Sequence, residues 1–175
     1  MRRKLCLLII IVLLGTGNCA FTWRLPKAEL PEASIVLDIN GEVINGLTRE
    51  NQINLKREQI PHDFVNAIIA VEDKNFYRHH GVDPVGIARA VITNIKYRKI
   101  IAGGSTITQQ TAKNLFLSNE KTFTRKIKEL VYAIQLERKY SKDEILAMYC
   151  NTIYFGEGAY GVEVAARTFF ARRAE

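Results

Sequence analysis

The stretch that decides how this chain is read is GGSTITQQTAKN, residues 103–114. Two glycines are followed by hydroxyl and amide side chains, then a lysine and an asparagine, with little that is apolar. Yet it lies between two segments of strong apolar helical periodicity. Gly103 and Gly104 let the backbone turn freely and approach a ligand closely. Ser105 suits the cap of a helix running to about Phe116. Thr106, Gln109, Gln110 and Lys113 then recur at steps of three and four and share one helical face. Such a face is poorly made for packing and well made for holding a polyhydroxylated, phosphorylated ligand. A merely solvated face would more often carry Glu and Lys.

Helical patterns extend on both sides. From Ile60, with Pro61 suited to a first turn, Phe64, Val65, Ile68, Ile69 and Val71 form an apolar stripe. Asp83 and Pro84 open a second helix, with Val85, Ile87, Ala88, Val91, Ile92 and Ile95 expected inward. Beyond the glycine-led helix, a fourth is expected from about Thr124 to Tyr140, buried through Ile127, Leu130, Val131, Ile134 and Leu136. Ser141 and Glu144 make a capping box for a fifth, through Ile145, Leu146 and Met148. FGEGAYG breaks the chain, and Gly161 to Phe170 reads as a sixth. Upstream, Ser34 to Ile44 alternates around Asn40-Gly41, the signal of a small β-hairpin. The expected class is mainly α with one N-terminal hairpin.

The 175 residues suffice for one domain with a real core, and 47% hydrophobic and 25% charged residues are ordinary for a globular protein. A net charge of +7 favours an anionic partner: nucleic acid, membrane lipid or phosphorylated substrate. No nucleic-acid signature accompanies it. Cys6, Cys19 and Cys150 have neither disulfide-framework nor zinc spacing. The first 23 residues begin with Arg2, Arg3 and Lys4, continue through ten apolar residues from Leu5 to Leu14, and end at Phe21 and Trp23. They are read as a membrane anchor with the basic end cytoplasmic, the rival being a cleaved signal peptide. Residues 24–33 are a Pro-containing linker and 34–175 the domain proper. Either reading of the leader sends that domain outside the cytoplasm.

Four stretches carry chemistry. In AVEDKNFYRHHGVDP, residues 70–84, Glu72 and Asp73 close an apolar helix beside Phe76, Tyr77, His79 and His80. A carboxylate against aromatic surface suits proton transfer, whereas one at a helix end is often simply solvated. The second stretch is the glycine-led one. In the third, Arg125, Lys126 and Glu129 either pair on the surface or face an anion and a metal. In the fourth, NTIYFGEGAYG, residues 151–161, three glycines among aromatics make a tight turn, structural or cleft-lining.

Together these resemble the peptidoglycan glycosyltransferases, family-51 enzymes found as monofunctional transglycosylases and as the first catalytic domain of class A penicillin-binding proteins. The family's E-D-x-x-F-x-x-H-x-G stands here as Glu72, Asp73, Phe76, His79 and Gly81. Its G-x-S-T-x-x-Q-Q with K-N matches Gly103 or Gly104, Ser105, Thr106, Gln109, Gln110, Lys113 and Asn114. Its R-K-x-x-E is Arg125, Lys126 and Glu129. Its K-x-x-I-L…Y-x-N block with a glycine-rich turn is Lys142, Ile145, Leu146, Tyr149 and Asn151, then Tyr154, Gly156, Gly158 and Gly161.

The resemblance implies a lysozyme-like α-helical fold and polymerisation of lipid II into β-1,4-linked glycan at the inner (plasma) membrane, by a single-pass protein with its catalytic domain extracytoplasmic. It implies Glu72 as general base, and Glu129 as a second catalytic group that acts through Mg²⁺ or Mn²⁺ or by orienting a base. Arg125, Lys113 and Lys126 would face the leaving pyrophosphate. Asp73, Phe76, His79, Gly104, Ser105, Thr106, Gln109, Gln110, Asn114 and Asn151 would hold substrate. Partners would be lipid II, the lipid-linked glycan strand and the membrane, with other cell-wall synthesis proteins as further candidates. Departures are Ala147 and Cys150 in the fourth block and the closing residues TFFARRAE, which leave the family's pattern. From these a domain lacking its last helices is expected. Two alternatives follow: a non-catalytic remnant that binds lipid II or a wall partner, and a lysozyme-like hydrolase.

Overall fold

The structure, a computed structural model, describes residues 23–30, 39, 40, 53–118 and 120–174. The leader and nearly all of the expected hairpin lie outside them; only the turn at Ile39 and Asn40 is described. Among the described residues there are six α-helices: α1 His62–Glu72, α2 Pro84–Tyr97, α3 Ile107–Phe116, α4 Phe123–Lys139, α5 Lys142–Thr152 and α6 Val162–Phe170. None is long and apolar enough to cross a membrane. The only β pairing among them is an isolated bridge between Tyr154 and Tyr160.

Local chemistry sets the helix ends. Asp83 caps α2 by accepting from Val85 N at 3.0 Å, with Pro84 in the first turn. Ser141 and Glu144 form the capping box of α5 as expected. On α3 the cap is Thr106, one residue later than expected, in a capping box with Gln109. Pro61 lies just outside α1 as its N-cap residue, not within the first turn.

The core is centred on α3, α4 and α5. Phe76, Ile107, Ala133, Leu136, Ile145, Leu146, Tyr149 and Cys150 are its most buried members. Burial pushes the Cys150 thiol up to about 12, so it serves as a small apolar residue. The inward face of α4 is rotated from the expected one. Glu129, Tyr132, Ala133 and Leu136 are buried, whereas Ile134 is exposed and Ile127, Leu130 and Val131 are only half-buried. A buried glutamate at the head of the stripe displaced it, and hydrophobicity alone gave no sign of that. Helix α2 departs furthest. Only Ala90 is buried, and Val85, Ile87, Val91, Ile92 and Ile95 are exposed, three of them by more than 60%. Val71 of α1 is likewise exposed. The periodicity there marks an apolar face that the described residues do not cover.

Two tethers bind the segments preceding α1 to this core. Asn151 grips the backbone of Leu55 in both directions, accepting from its N–H at 2.9 Å and donating to its carbonyl at 2.8 Å. Further upstream, Gln135 donates to the Trp23 carbonyl at 2.7 Å while Lys128 lies over the Trp23 ring. Asn151 is buried, so its removal strands two polar backbone groups. Asn151→Leu is expected to lower stability by about 2–4 kcal/mol. The readout is a fall in the urea midpoint at unchanged slope.

Candidate active site

The site grows from the end of α1. Glu72 is the last residue of that helix, and Asp73 leaves it in an extended conformation, φ −156° and ψ 77°. The two neighbouring carboxylates therefore part company. Asp73 turns inward and is buried. Its Oδ2 accepts from His79 Nε2 at 2.8 Å and from the backbone N–H of Ile107, the first residue of α3, at 3.1 Å. An anion at a helix N-terminus also meets the positive end of the helix dipole. The other ring nitrogen, Nδ1, accepts from Gly81 N at 3.2 Å, which places the ring proton on Nε2. Thr106 Oγ1 donates to the Gly81 carbonyl at 2.7 Å. Gly81 itself, at φ +95°, lies so close to α4 that a Cβ would meet the Ala133 carbonyl group at 3.0 Å.

Glu72 is exposed and takes a hydrogen bond from Gln110 Nε2 at 2.8 Å. It stands on a groove of about 340 Å³ shared with Lys74, Arg89, Thr93 and the backbone of residues 101–106. The glycine-led loop is held open as the groove wall by Asn94. That side chain accepts from Ile101 N and Ala102 N at 2.8 and 2.9 Å, and donates to the Ala102 carbonyl at 2.9 Å. Gly104 is pressed against α2, where a Cβ would meet Ile87 Cα at 3.1 Å.

Ser105 joins this groove to a second group of charges. It lines the groove, and its Oγ accepts from Lys126 Nζ at 2.9 Å. Lys126 also pairs with Glu129 Oε1, while Arg125 Nη1 donates to Glu129 Oε2 at 2.5 Å. Glu129 is buried beneath the two cations. A divalent ion on Glu129 would sit against both positive charges, so the residues present do not fit Mg²⁺ or Mn²⁺ there. Among the described residues no group of three or more His, Cys, Asp or Glu could hold a metal.

The expected site residues thus divide. Glu72, Gly104, Ser105, Gln110, Arg125, Lys126 and Glu129 come together around the groove and its neighbouring charges. Lys113 lies one turn beyond Gln110, half-buried, and Asn114 is exposed. Asp73, His79 and Thr106 are buried in internal hydrogen bonds, Gln109 is buried with its Oε1 on Thr106 N and its Nε2 without a partner within the described residues, Phe76 is fully buried in the core, and Asn151 is the Leu55 clamp. Of these, Asp73 and Thr106 reach the groove wall. The polar face expected of the glycine-led helix is therefore half structural, because Thr106 and Gln109 satisfy the helix start instead of a ligand. Lys142, from the fourth motif, likewise pairs with Glu137 at 2.7 Å and lies over the Phe76 ring. Arg89 and Thr93 were missed; with Gly86 and Ala90 they form an i, i+3, i+4, i+7 row on α2, hidden among its stronger apolar residues.

A sequence-family model described as Transglycosylase matches residues 40–175. The chain belongs to the Transglycosylase family. Its relatives include penicillin-binding protein 1A of Aquifex aeolicus, 47% identical over 142 residues, covering 81% of this chain and 20% of that protein. Penicillin-binding protein 1F of Bacillus subtilis is 48% identical over 144 residues, 82% of this chain and 20% of its own. Penicillin-binding protein 1A of Escherichia coli is 42% identical over 179 residues, 96% and 21% respectively. The chain spans about a fifth of the length of these relatives. The mainly helical architecture agrees with the lysozyme-like fold that the resemblance implied.

The pH response of this transglycosylase domain follows from Asp83, at the groove's edge. Burial alone would raise its carboxyl. The N–H of Gly86, the Asn75 amide and the N–H of Val85 outweigh it, and the net effect holds the group below its ordinary 3.8. A lowered folded value stabilises the fold above 3.8, and that contribution is lost as pH falls through the folded value. Asp83→Asn is expected to flatten the stability profile between roughly pH 4 and 2, read by chemical melts across that range.

Proposed function

We infer that this domain is a peptidoglycan glycosyltransferase that polymerises lipid II into β-1,4-linked glycan. Glu72 deprotonates the acceptor's 4-hydroxyl, the donor's anomeric carbon is inverted, and undecaprenyl pyrophosphate departs. The observation that carries this reading is the bridge at Ser105. A solvent-facing carboxylate lines the groove, and a compact cation pair beside it is joined to the groove through the Ser105 hydroxyl. That is the pairing a displacement of a diphosphate leaving group needs: a base on the attacking side, fixed positive charge on the leaving side. Glu129 holds the Arg125 guanidinium and the Lys126 ammonium in place from beneath, so both stay set for the leaving group. A carboxylate buried under two cations also keeps them from repelling one another. No step is routed through a metal. The finished wall offers a hydrolase no pyrophosphate, which makes the cation pair superfluous for that chemistry.

The groove side of the site holds the acceptor. Lys74 and Arg89 are the cations nearest Glu72 in that groove, placed to receive the acceptor's own diphosphate. The uncovered apolar face of α2, continued by Ile100 and Ile101, lies against the bilayer that carries both lipid substrates. The domain works on the extracytoplasmic side of the inner membrane, among other wall-synthesis proteins.

In a lipid II polymerisation assay, Glu72→Gln is expected to lose at least about 10²-fold in kcat. Arg125→Ala and Lys126→Ala should each lose activity with a smaller change in KM. Polymer formation by Glu72→Gln at the normal rate overturns the assignment. The double substitution Ile92→Glu, Ile95→Glu should depress activity about tenfold more in lipid vesicles than in detergent micelles, with the thermal midpoint unchanged. Equal loss in both media removes α2 from the membrane.

A further inference from the structure

The main core holds a polar group without a partner. Tyr149, on α5, is fully buried in the main core. Its hydroxyl is shut off from solvent and has no hydrogen-bond partner within the described residues. Such a group costs about 1–3 kcal/mol, and phenylalanine would fill the same space without that cost. The hydroxyl is not isolated electrically. The charge that acts on it is that of Glu72, from the end of α1. Burial first, and then the Glu72 charge, push the phenol up, so it remains a donor across the working range. Glu72 already takes one hydrogen bond from Gln110, on its Oε2. Helix α5 packs against α3, the helix that carries Gln110. The remaining charged groups around Glu72 on the groove are Asp73, Lys74, Asp83 and Arg89. Asp73 is taken up by His79 and Ile107, and Asp83 by Asn75 and Val85.

We propose that Tyr149 is a positioning residue for Glu72, its buried hydroxyl donating the second hydrogen bond to the carboxylate, opposite Gln110, when the acceptor sugar is seated. A carboxylate held from both sides is fixed in rotamer, with lone pairs still left to receive the acceptor proton. The inference rests on the reading of Glu72 as base.

The test is Tyr149→Phe in the full-length chain, assayed by lipid II polymerisation across pH beside Glu72→Gln. Losing a donor to the ionised form favours the protonated form, so the acid limb of the kcat profile should move up by roughly one pH unit. The plateau should fall about tenfold with KM little changed, while the thermal midpoint holds or rises because an orphaned hydroxyl has gone. Replacing Tyr149 with 3-fluorotyrosine, a stronger donor of nearly the same shape, should move the acid limb the other way. A Tyr149→Phe protein with a normal plateau and acid limb overturns the proposal, as does one whose activity and thermal midpoint fall together with the acid limb in place. If Glu72→Gln also polymerises normally, it is the base assignment that has failed; if Glu72→Gln is inactive, the failure belongs to Tyr149 alone.

Discussion

A single carboxylate oxygen, Oδ2 of Asp73, accepts hydrogen bonds from the His79 ring and from the first N–H of α3. Those two bonds tie the exit of α1 to the loop that follows it and to the start of α3. Because the backbone is extended at Asp73, its inward turn sends the preceding side chain, Glu72, outward to the groove. The same node continues through His79 and Thr106 to Gly81, and through Gly81 to the backbone of α4. The exit of α1 and the start of α3 are thus registered by buried polar contacts, and α4 by close packing against Gly81. In a low-dielectric interior such a network is rigid, because any shift strands a donor or an acceptor.

Around this frame the site is built from one exposed carboxylate and a few half-buried groups. Glu72 and Gln110 come from the α1 and α3 sides, Ser105 from the loop between α2 and α3, and Arg125 and Lys126 from α4. Glu129 shows the same economy as Asp73. Both are buried acids, Glu129 with each oxygen held by a cation and Asp73 with one oxygen held by an imidazole and a helix start. Removing either would leave its partners buried and uncompensated, which costs more than the pair contributes. Thr108 and Lys142, which both bond Glu137 Oε1, at 2.6 and 2.7 Å, tie α3, α4 and α5 together in the same manner on the far side of α3.

Much of this was legible in the chain. Helix caps are local, and Asp83 and Ser141 with Glu144 announced theirs because the capping side chain reaches only two or three residues ahead. The motif residues fall in one region of the structure, where Glu72, Ser105 and Gln110 meet around the groove. What the motifs did not reveal was which members face the substrate. Thr106 and Gln109 carry the same chemistry as Gln110, yet the first two close a helix end and the third meets Glu72. Asn151 read as a ligand-binding amide and is a backbone clamp, a role set by Leu55, 96 residues away in sequence.

By itself, then, the sequence determined the helices, most of their caps and the mainly α class. Each of these depends on neighbours within a few positions, where periodicity and hydrogen-bonding reach are fixed by the backbone. Only the tertiary structure decided which face of α4 is buried, that the apolar side of α2 is left uncovered, and that Asp73 turns in while Glu72 turns out. Those outcomes depend on which distant groups arrive to satisfy a buried charge or cover an apolar stripe, and no local pattern carries that information.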